Sequence, residues 1–247
     1  MAVSDHPLST QDPDRFAVPL YNVAEAASYL RVPESTFGTW VRGYVRRPAG
    51  RPEVVGEPIV TAFASDRPAD ASIPFVGLAE GMVLAAIRCT GVPMQRIRPA
   101  IRRLRDELGL EHVLASQALY TDGAEVLYDY AEQNGDSPEA RTARELVVVR
   151  QGQHVFTDVV DEYLHRIEFA SDGYAGRIRL PGFRAAEVVA DPSRGYGQPI
   201  FAHGGARLED VIGAFQGGES LSALADEYGV SAVELEDALR VARWHGA

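Results

Sequence analysis

No lysine occurs anywhere in the 247 residues, so all 24 fixed side-chain cations are arginines. A guanidinium is planar, permanently charged and suited to paired contact with phosphate or carboxylate. Cysteine occurs once, at Cys89, which excludes an intramolecular disulfide. Its setting, "GMVLAAIRC", reads as a small core residue of a helix. No stretch approaches the roughly 18 apolar residues of a membrane span, so no membrane partner is expected. The opening "MAVSDHPLSTQDPDRF" has no basic start and no apolar stretch. It reads as a short polar, disordered arm and not as a signal peptide, with the cytoplasm as the expected location.

Signatures of chemistry are scarce too. The six histidines (His6, His112, His154, His165, His203, His245) show neither HExxH nor a paired spacing, and no cysteine cluster joins them. There is no GxSxG and no Cys–His arrangement. "HGGAR" at 203–207 lacks a Walker lysine, so its glycines read as a turn into a helix. Acid pairs such as Asp161–Glu162 read as solvated helix faces. No enzyme activity, cofactor or metal is expected.

What is present is an uneven charge. The formal net charge is −11. Residues 1–110 hold 13 arginines against 12 acids, whereas residues 111–247 hold 11 against 23. Such asymmetry fits two different partners, or a second half that is simply well solvated. Within the first half, "WVRGYVRRPAGR" (40–51) carries Arg42, Arg46, Arg47 and Arg51, with no acid between Glu34 and Glu53. That is where a polyanion fits.

The same region has a recognisable local pattern. "NVAEAASYL" places Val23, Ala26, Ala27 and Leu30 on one helical face, with Asn22 as N-cap and Glu25 completing a capping box. "RVP" stops that helix, and Pro33 opens the next, "ESTFGTWVRGY". The two form a helix-turn-helix pattern. Val32, Phe37, Trp40 and Val41 face the core; Ser35, Thr36, Thr39 and Arg42 face outward, toward base edges if DNA docks. Segments of β character at Val54–Val55 and Ile59–Phe63 suggest a following wing, whose arginines would meet phosphates.

Further on, Leu78, Met82, Ala85, Ala86 and Cys89 keep helical spacing. A helix from about Pro93 to Leu108 holds Ile97, Ile101, Leu104 and Leu108 on one face, with Pro99 expected to bend it. Its arginines (Arg96, Arg98, Arg102, Arg103, Arg105) read as a solvated face, a phosphate contact or a dimer contact. Residues 111–184 look mixed and β-rich. They include a hairpin candidate around "TDG" with strands at Leu119–Tyr120 and Val126–Tyr130, apolar runs in "ELVVVRQGQHVF", a helix capped by Thr157, and two strands in "IEFASDGYAGRIRL". From 185, short strands at Glu187–Ala190 and Pro199–Phe201 precede three helices, the last two again a helix-turn-helix pattern. The caps are Ser220 and Ser231; the last helix has the apolar face Val233, Leu235, Leu239 and Val241–Ala242. Glu219, Asp226, Glu227, Glu234, Glu236 and Asp237 in this unit would repel phosphate, so it suits protein contact or dimerisation. The expected class is α+β: 1–110 winged helix-turn-helix, 111–184 a β-containing middle region, 185–247 a small three-helix domain.

"YNVAEAASYLRVPESTFGTWV" with "GVPMQRIRPAIRRLRDELG" resembles the MerR-type winged helix-turn-helix. "DPSRGYGQPIFAHGGARLEDVIGAFQGGESLSALADEYGVSAVELEDALRVA" resembles the domain family of unknown function numbered 433, with a slightly longer "FAHGGAR" bridge. Proteins joining these parts resemble VapB-type antitoxins. The resemblance implies a PIN-like ribonuclease toxin as partner, and a homodimer that represses its own operon on a palindromic DNA site. The alternative is a MerR-like, ligand-responsive regulator without a toxin, its effector pocket in the middle region.

Overall fold

A computed structural model describes residues 14–47, 50, 53–89, 91, 93–121 and 165–243. The fold is α+β: an N-terminal helix-turn-helix, a middle β region and C-terminal helices. Arg51 and the elements expected within 122–164 lie outside the described residues.

The chain enters through α1 (Asp14–Ala17), β1 (Pro19–Tyr21), α2 (Val23–Tyr29) and α3 (Glu34–Arg42). Asn22 caps α2 as its spacing to Glu25 predicts: Glu25 N–H donates to Asn22 Oδ1 at 2.8 Å, and Asn22 N–H donates to Glu25 Oε2 at 2.9 Å. Val23, Ala26, Ala27 and Leu30 are buried. Arg31 makes the turn in the left-handed region (φ 57°), and Pro33 leads into α3. Phe37 and Trp40 are buried, and Val32 and Val41 half-buried. The end of the supposed N-terminal arm is built into the fold. Arg15 is only 6% exposed; it donates to the Ala175 carbonyl at 2.9 Å and pairs with Asp172 at 2.5 Å. Phe16 packs on His112 and Tyr174.

β2 (Tyr44–Arg46) pairs antiparallel with β3 (Val54–Gly56), making the wing. The expected strand at Ile59–Phe63 does not form. Ile59 and Val60 instead donate their N–H groups to the Trp40 carbonyl and bury their side chains, because the chain must return to the end of α3. β4 (Ile73–Pro74) pairs with β1 and runs into α4 (Phe75–Cys89), which is buried on nearly every face from Phe75 to Ile87. Two glycines let neighbours approach it. A Cβ on Gly81 would meet the Phe37 ring at 2.6 Å, and one on Gly77 would overlap the Thr61 carbonyl oxygen. Cys89 is exposed, not a core residue: α4 ends there, beyond the edge of the core.

α5 (Met94–Leu108) runs through Pro99 and buries Ile97, Ile101 and Leu104. A 3₁₀ turn at Val113–Ala115 packs under α4. α6 (Ala118–Thr121) occupies the position expected for a strand at Leu119–Tyr120. Four strands, β5 (Ile167–Phe169), β6 (Ala175–Arg179), β7 (Val188–Ala190) and β8 (Ile200–Phe201), form an antiparallel meander in chain order. The sheet therefore runs across residue 184. α7 (Leu208–Gln216), α8 (Leu221–Tyr228) and α9 (Ala232–Arg243) follow, with Ser220 capping α8 and Gly229 closing it at φ 64°. The buried face of α9 is Leu235, Asp237, Ala238 and Val241; Val233, expected inside, is 65% exposed. One continuous apolar core extends from Tyr21 to Ala238.

Two carboxylates tie elements together from inside. Glu80 on α4, fully buried, accepts the Thr61 N–H at 2.6 Å and lies 3.3 Å from His112 Nδ1. Asp237 on α9 accepts the N–H groups of Arg184, Ala185 and Ala186 at 2.6, 2.7 and 3.0 Å and also pairs with Arg240.

Candidate nucleic-acid interface

α3 presents one face to solvent. Ser35 and Arg42 are exposed, and Thr36 and Thr39 half-exposed. The Thr39 hydroxyl donates to the Ser35 carbonyl one turn back at 2.7 Å, so an acceptor lone pair and a methyl remain for an outside partner. The Arg42 guanidinium lies back along α3 against Gly38. Phe37 and Trp40 anchor the opposite face, their rings 6.0 Å apart, with Phe37 seated against Gly81 of α4.

One residue, Gly43 at φ 69°, turns α3 into the wing. A Cβ there would overlap the Gly56 carbonyl, so close approach and backbone conformation both require glycine. Alternation then places Tyr44 and Arg46 on one face of the hairpin, and pairs Val45 with Val55 on the other, both more than half exposed. The Arg46 guanidinium stands 5.0 Å from the Tyr44 ring centre. Arg47 pairs with Glu53 across the hairpin at 2.5 Å, its side chain 81% exposed. An exposed pair of this kind contributes about 0–1 kcal/mol. A phosphate can compete for that guanidinium. The structure thus brings Ser35, Thr36, Thr39 and Arg42 onto one helix and sets Arg46 and Arg47 directly beyond it.

Three arginines of α5 contact the wing and the end of α3, a role beyond a solvated face, a phosphate contact or a dimer contact. Arg98 stands 5.3 Å from the Tyr44 ring centre and reaches the Thr39 carbonyl at 3.5 Å. Burial lowers its pKa, partly offset by Tyr44 and Glu57. Arg102 pairs with Glu57 at 2.5 Å, and Arg105 donates to the Ile59 carbonyl at 2.8 Å. These three brace the wing and the segment that returns from it to the end of α3, and Arg103 pairs along the helix with Glu107. The signal was available: 98, 102 and 105 follow i, i+4, i+7 and share one face.

Among the described residues no three His, Cys, Asp or Glu side chains group as a metal site. No described helix is long and apolar enough to cross a membrane.

A family described as "Putative DNA-binding HTH domain" matches residues 19–101, which takes in α2, α3, the wing and most of α5. A Mycobacterium tuberculosis protein described as "Putative antitoxin VapB45" is 52% identical over 91% of this chain and 94% of its own length. A second protein of that organism, "Uncharacterized protein Rv2308", is 30% identical over 89% of this chain and 88% of its own. The crystal structure of Rv2018 from M. tuberculosis superposes with a TM-score of 0.77 at 47% identity, covering 91% of this chain and 99% of that one.

Proposed function

This chain belongs to the same family as the mycobacterial protein described as antitoxin VapB45, and from that premise we propose that it is a DNA-binding antitoxin. In this reading it neutralises a PIN-like ribonuclease toxin and represses its own operon as a homodimer on a palindromic site. It acts without catalysis.

The observation that carries the DNA half is the shared exposure of α3 and the adjoining wing. Ser35, Thr36, Thr39 and Arg42 approach base edges in the major groove, while Arg46, Arg47 and Arg51 neutralise backbone phosphates and fix the register. The toxin half rests on the relative's description and on the surplus of acids in residues 111–247. Glu219, Asp226, Glu227 and Glu236 stay exposed on the C-terminal helices, a surface that suits a basic protein and repels phosphate. We read residues 1–110 as a MerR-like DNA-binding part, 111–184 as the middle region and 185–247 as a part resembling family 433.

Two measurements test this. The full chain is titrated against duplex DNA from upstream of its own gene and against scrambled duplex. The neighbouring open reading frame is co-expressed with tagged protein and recovered by pull-down. Tighter binding to upstream DNA and co-purification of a small ribonuclease are expected. Equal affinity for both duplexes defeats the operator assignment; a neighbour that neither binds nor cleaves RNA defeats the toxin assignment. A second reading, a ligand-responsive regulator without a toxin, is favoured by one feature: a cleft behind α2.

A further inference from the structure

That cleft has a volume of about 390 Å³ and lies where α2 and the helix-turn-helix turn meet the β6–β7 turn, α7 and α9. Small-molecule sites measure roughly 300–1,000 Å³ and favour seams between packed units. This seam joins chain segments more than 150 residues apart. Arg31 Nη1 donates to the Gly182 carbonyl at 3.4 Å, and Tyr21 donates to the Gly197 carbonyl at 2.6 Å. The floor is apolar, built from Tyr29, Leu180, Phe183, Leu208, Ile212 and Val241.

The polar groups around it are unequally committed. Glu25 lines the cleft, but its carboxylate already accepts the Asn22 N–H. Arg31 is held by Gly182. Tyr29 donates to Gln198 Oε1 at 3.3 Å; burial, Glu25 and Glu209 push its pKa up to about 12, so it stays a neutral donor. Arg207 is exposed at the cleft and makes no hydrogen bond or ion pair from its side chain among the described residues. Glu209 also lines the cleft, is exposed, and makes no side-chain hydrogen bond or ion pair among the described residues. Backbone strain marks the same place. Among the described residues the non-glycine positive-φ positions are Arg31 (57°), which lines the cleft, and Tyr196 (54°), two residues before Gln198, which also lines it. Such strain concentrates at ligand clamps and switch segments.

We propose that this cleft binds a small amphipathic carboxylate, with its aromatic or aliphatic body on the apolar floor and its head group on Arg207. The inference does not depend on whether the partner is a toxin, because it rests on the cleft alone.

The test uses the full chain, titrated with 2-naphthoate and with decanoate, and followed by calorimetry and ¹H–¹⁵N NMR. 2-Naphthylmethanol and 1-naphthylmethylamine serve as neutral and cationic controls. Saturable one-to-one binding is expected, with shifts centred on α2, α7 and the β6–β7 turn. Arg207→Gln, at an exposed position, should weaken the carboxylate about tenfold and leave the alcohol within about twofold. Ile212→Trp should fill the cleft and abolish both. If it fails to fold, Arg207→Gln still decides. No saturable binding of either acid overturns the proposal, as does tighter binding of the amine or a carboxylate indifferent to Arg207→Gln. Binding of the alcohol alone, blocked by a co-expressed partner chain, overturns it too, since the cleft would then receive a partner's side chain.

Discussion

Asp237 carries a charge where helical spacing would call for an apolar side chain. It is 4% exposed and accepts three successive backbone N–H groups. Burial alone would raise its pKa; the amides of Ala186, Ala185 and Arg184, with Arg240, outweigh that and hold it below the ordinary carboxylate range. A lowered folded pKa contributes stability that is present above the unfolded carboxylate value and lost as pH falls through the folded one. Asp237→Asn should therefore cost about 3 kcal/mol near neutral pH, since an amide cannot accept from all three donors and keep Arg240. It should also flatten the acid limb of stability below about pH 4; urea melts of both proteins from pH 3 to 7 check this. In the sequence Asp237 is one more acid on an acidic helix. Nothing local marks it as buried, because the three backbone N–H groups it accepts from are about 50 residues away.

The element on which the proposed interface turns is the wing, and the arginines on and around it divide into two kinds. Arg46 and Arg47 project from the hairpin, whereas Arg98, Arg102 and Arg105 hold it from behind. Each phosphate contact removed lowers the slope of log affinity against log salt by about 1. Arg46→Ala and Arg47→Ala should each do so, on operator and scrambled duplex alike. Arg102→Ala with Arg105→Ala should weaken operator binding and leave the slope unchanged, if those residues act only by holding the wing through Glu57 and the Ile59 carbonyl. Fluorescence anisotropy across a salt series separates the two; a slope lowered by the brace substitutions would reassign them to phosphate contact. Gly77→Ala tests the same region from the core side. Its Cβ would press on the Thr61 carbonyl, and an overpacked buried site costs about 1–3 kcal/mol, read as a lower urea midpoint. Helices here were legible because caps and periodicity are local. The wing's second strand forms over Val54–Gly56, where the β character of Val54–Val55 places it, but Ile59–Phe63 is not a strand. An apolar β-branched run looks the same whether it joins a ladder or folds back onto a helix end.

At the scale of the whole molecule, the helix-turn-helix shares its core with the C-terminal part. Arg15 reaches Asp172 and Ala175, Tyr21 reaches Gly197, and one apolar cluster spans both. Composition and charge suggest separable parts; packing joins them. A fragment ending at residue 110 should therefore lose cooperative unfolding and be cleaved by protease far faster than the full chain. Limited proteolysis and thermal melts would show it, and a fragment as resistant as the parent would sink the shared-core account. A two-fold dimer on DNA requires half-sites about 34 Å apart or a multiple of that, measurable by footprinting.

By itself the sequence determined the α+β class, the helix-turn-helix at Val23–Arg42, the caps at Asn22, Ser220 and Ser231, and the acid-free run of arginines between Glu34 and Glu53 in a chain whose second half carries the surplus of acids. All of these depend on neighbours within a few residues or on a simple sum of charge. Only the tertiary structure decided that Arg15 and Asp237 are buried anchors, that the α5 arginines brace the wing, that Cys89 faces solvent, and that a cleft opens behind α2. Those outcomes depend on which distant surfaces meet, and burial and hydrogen-bond satisfaction fix that for the whole chain at once.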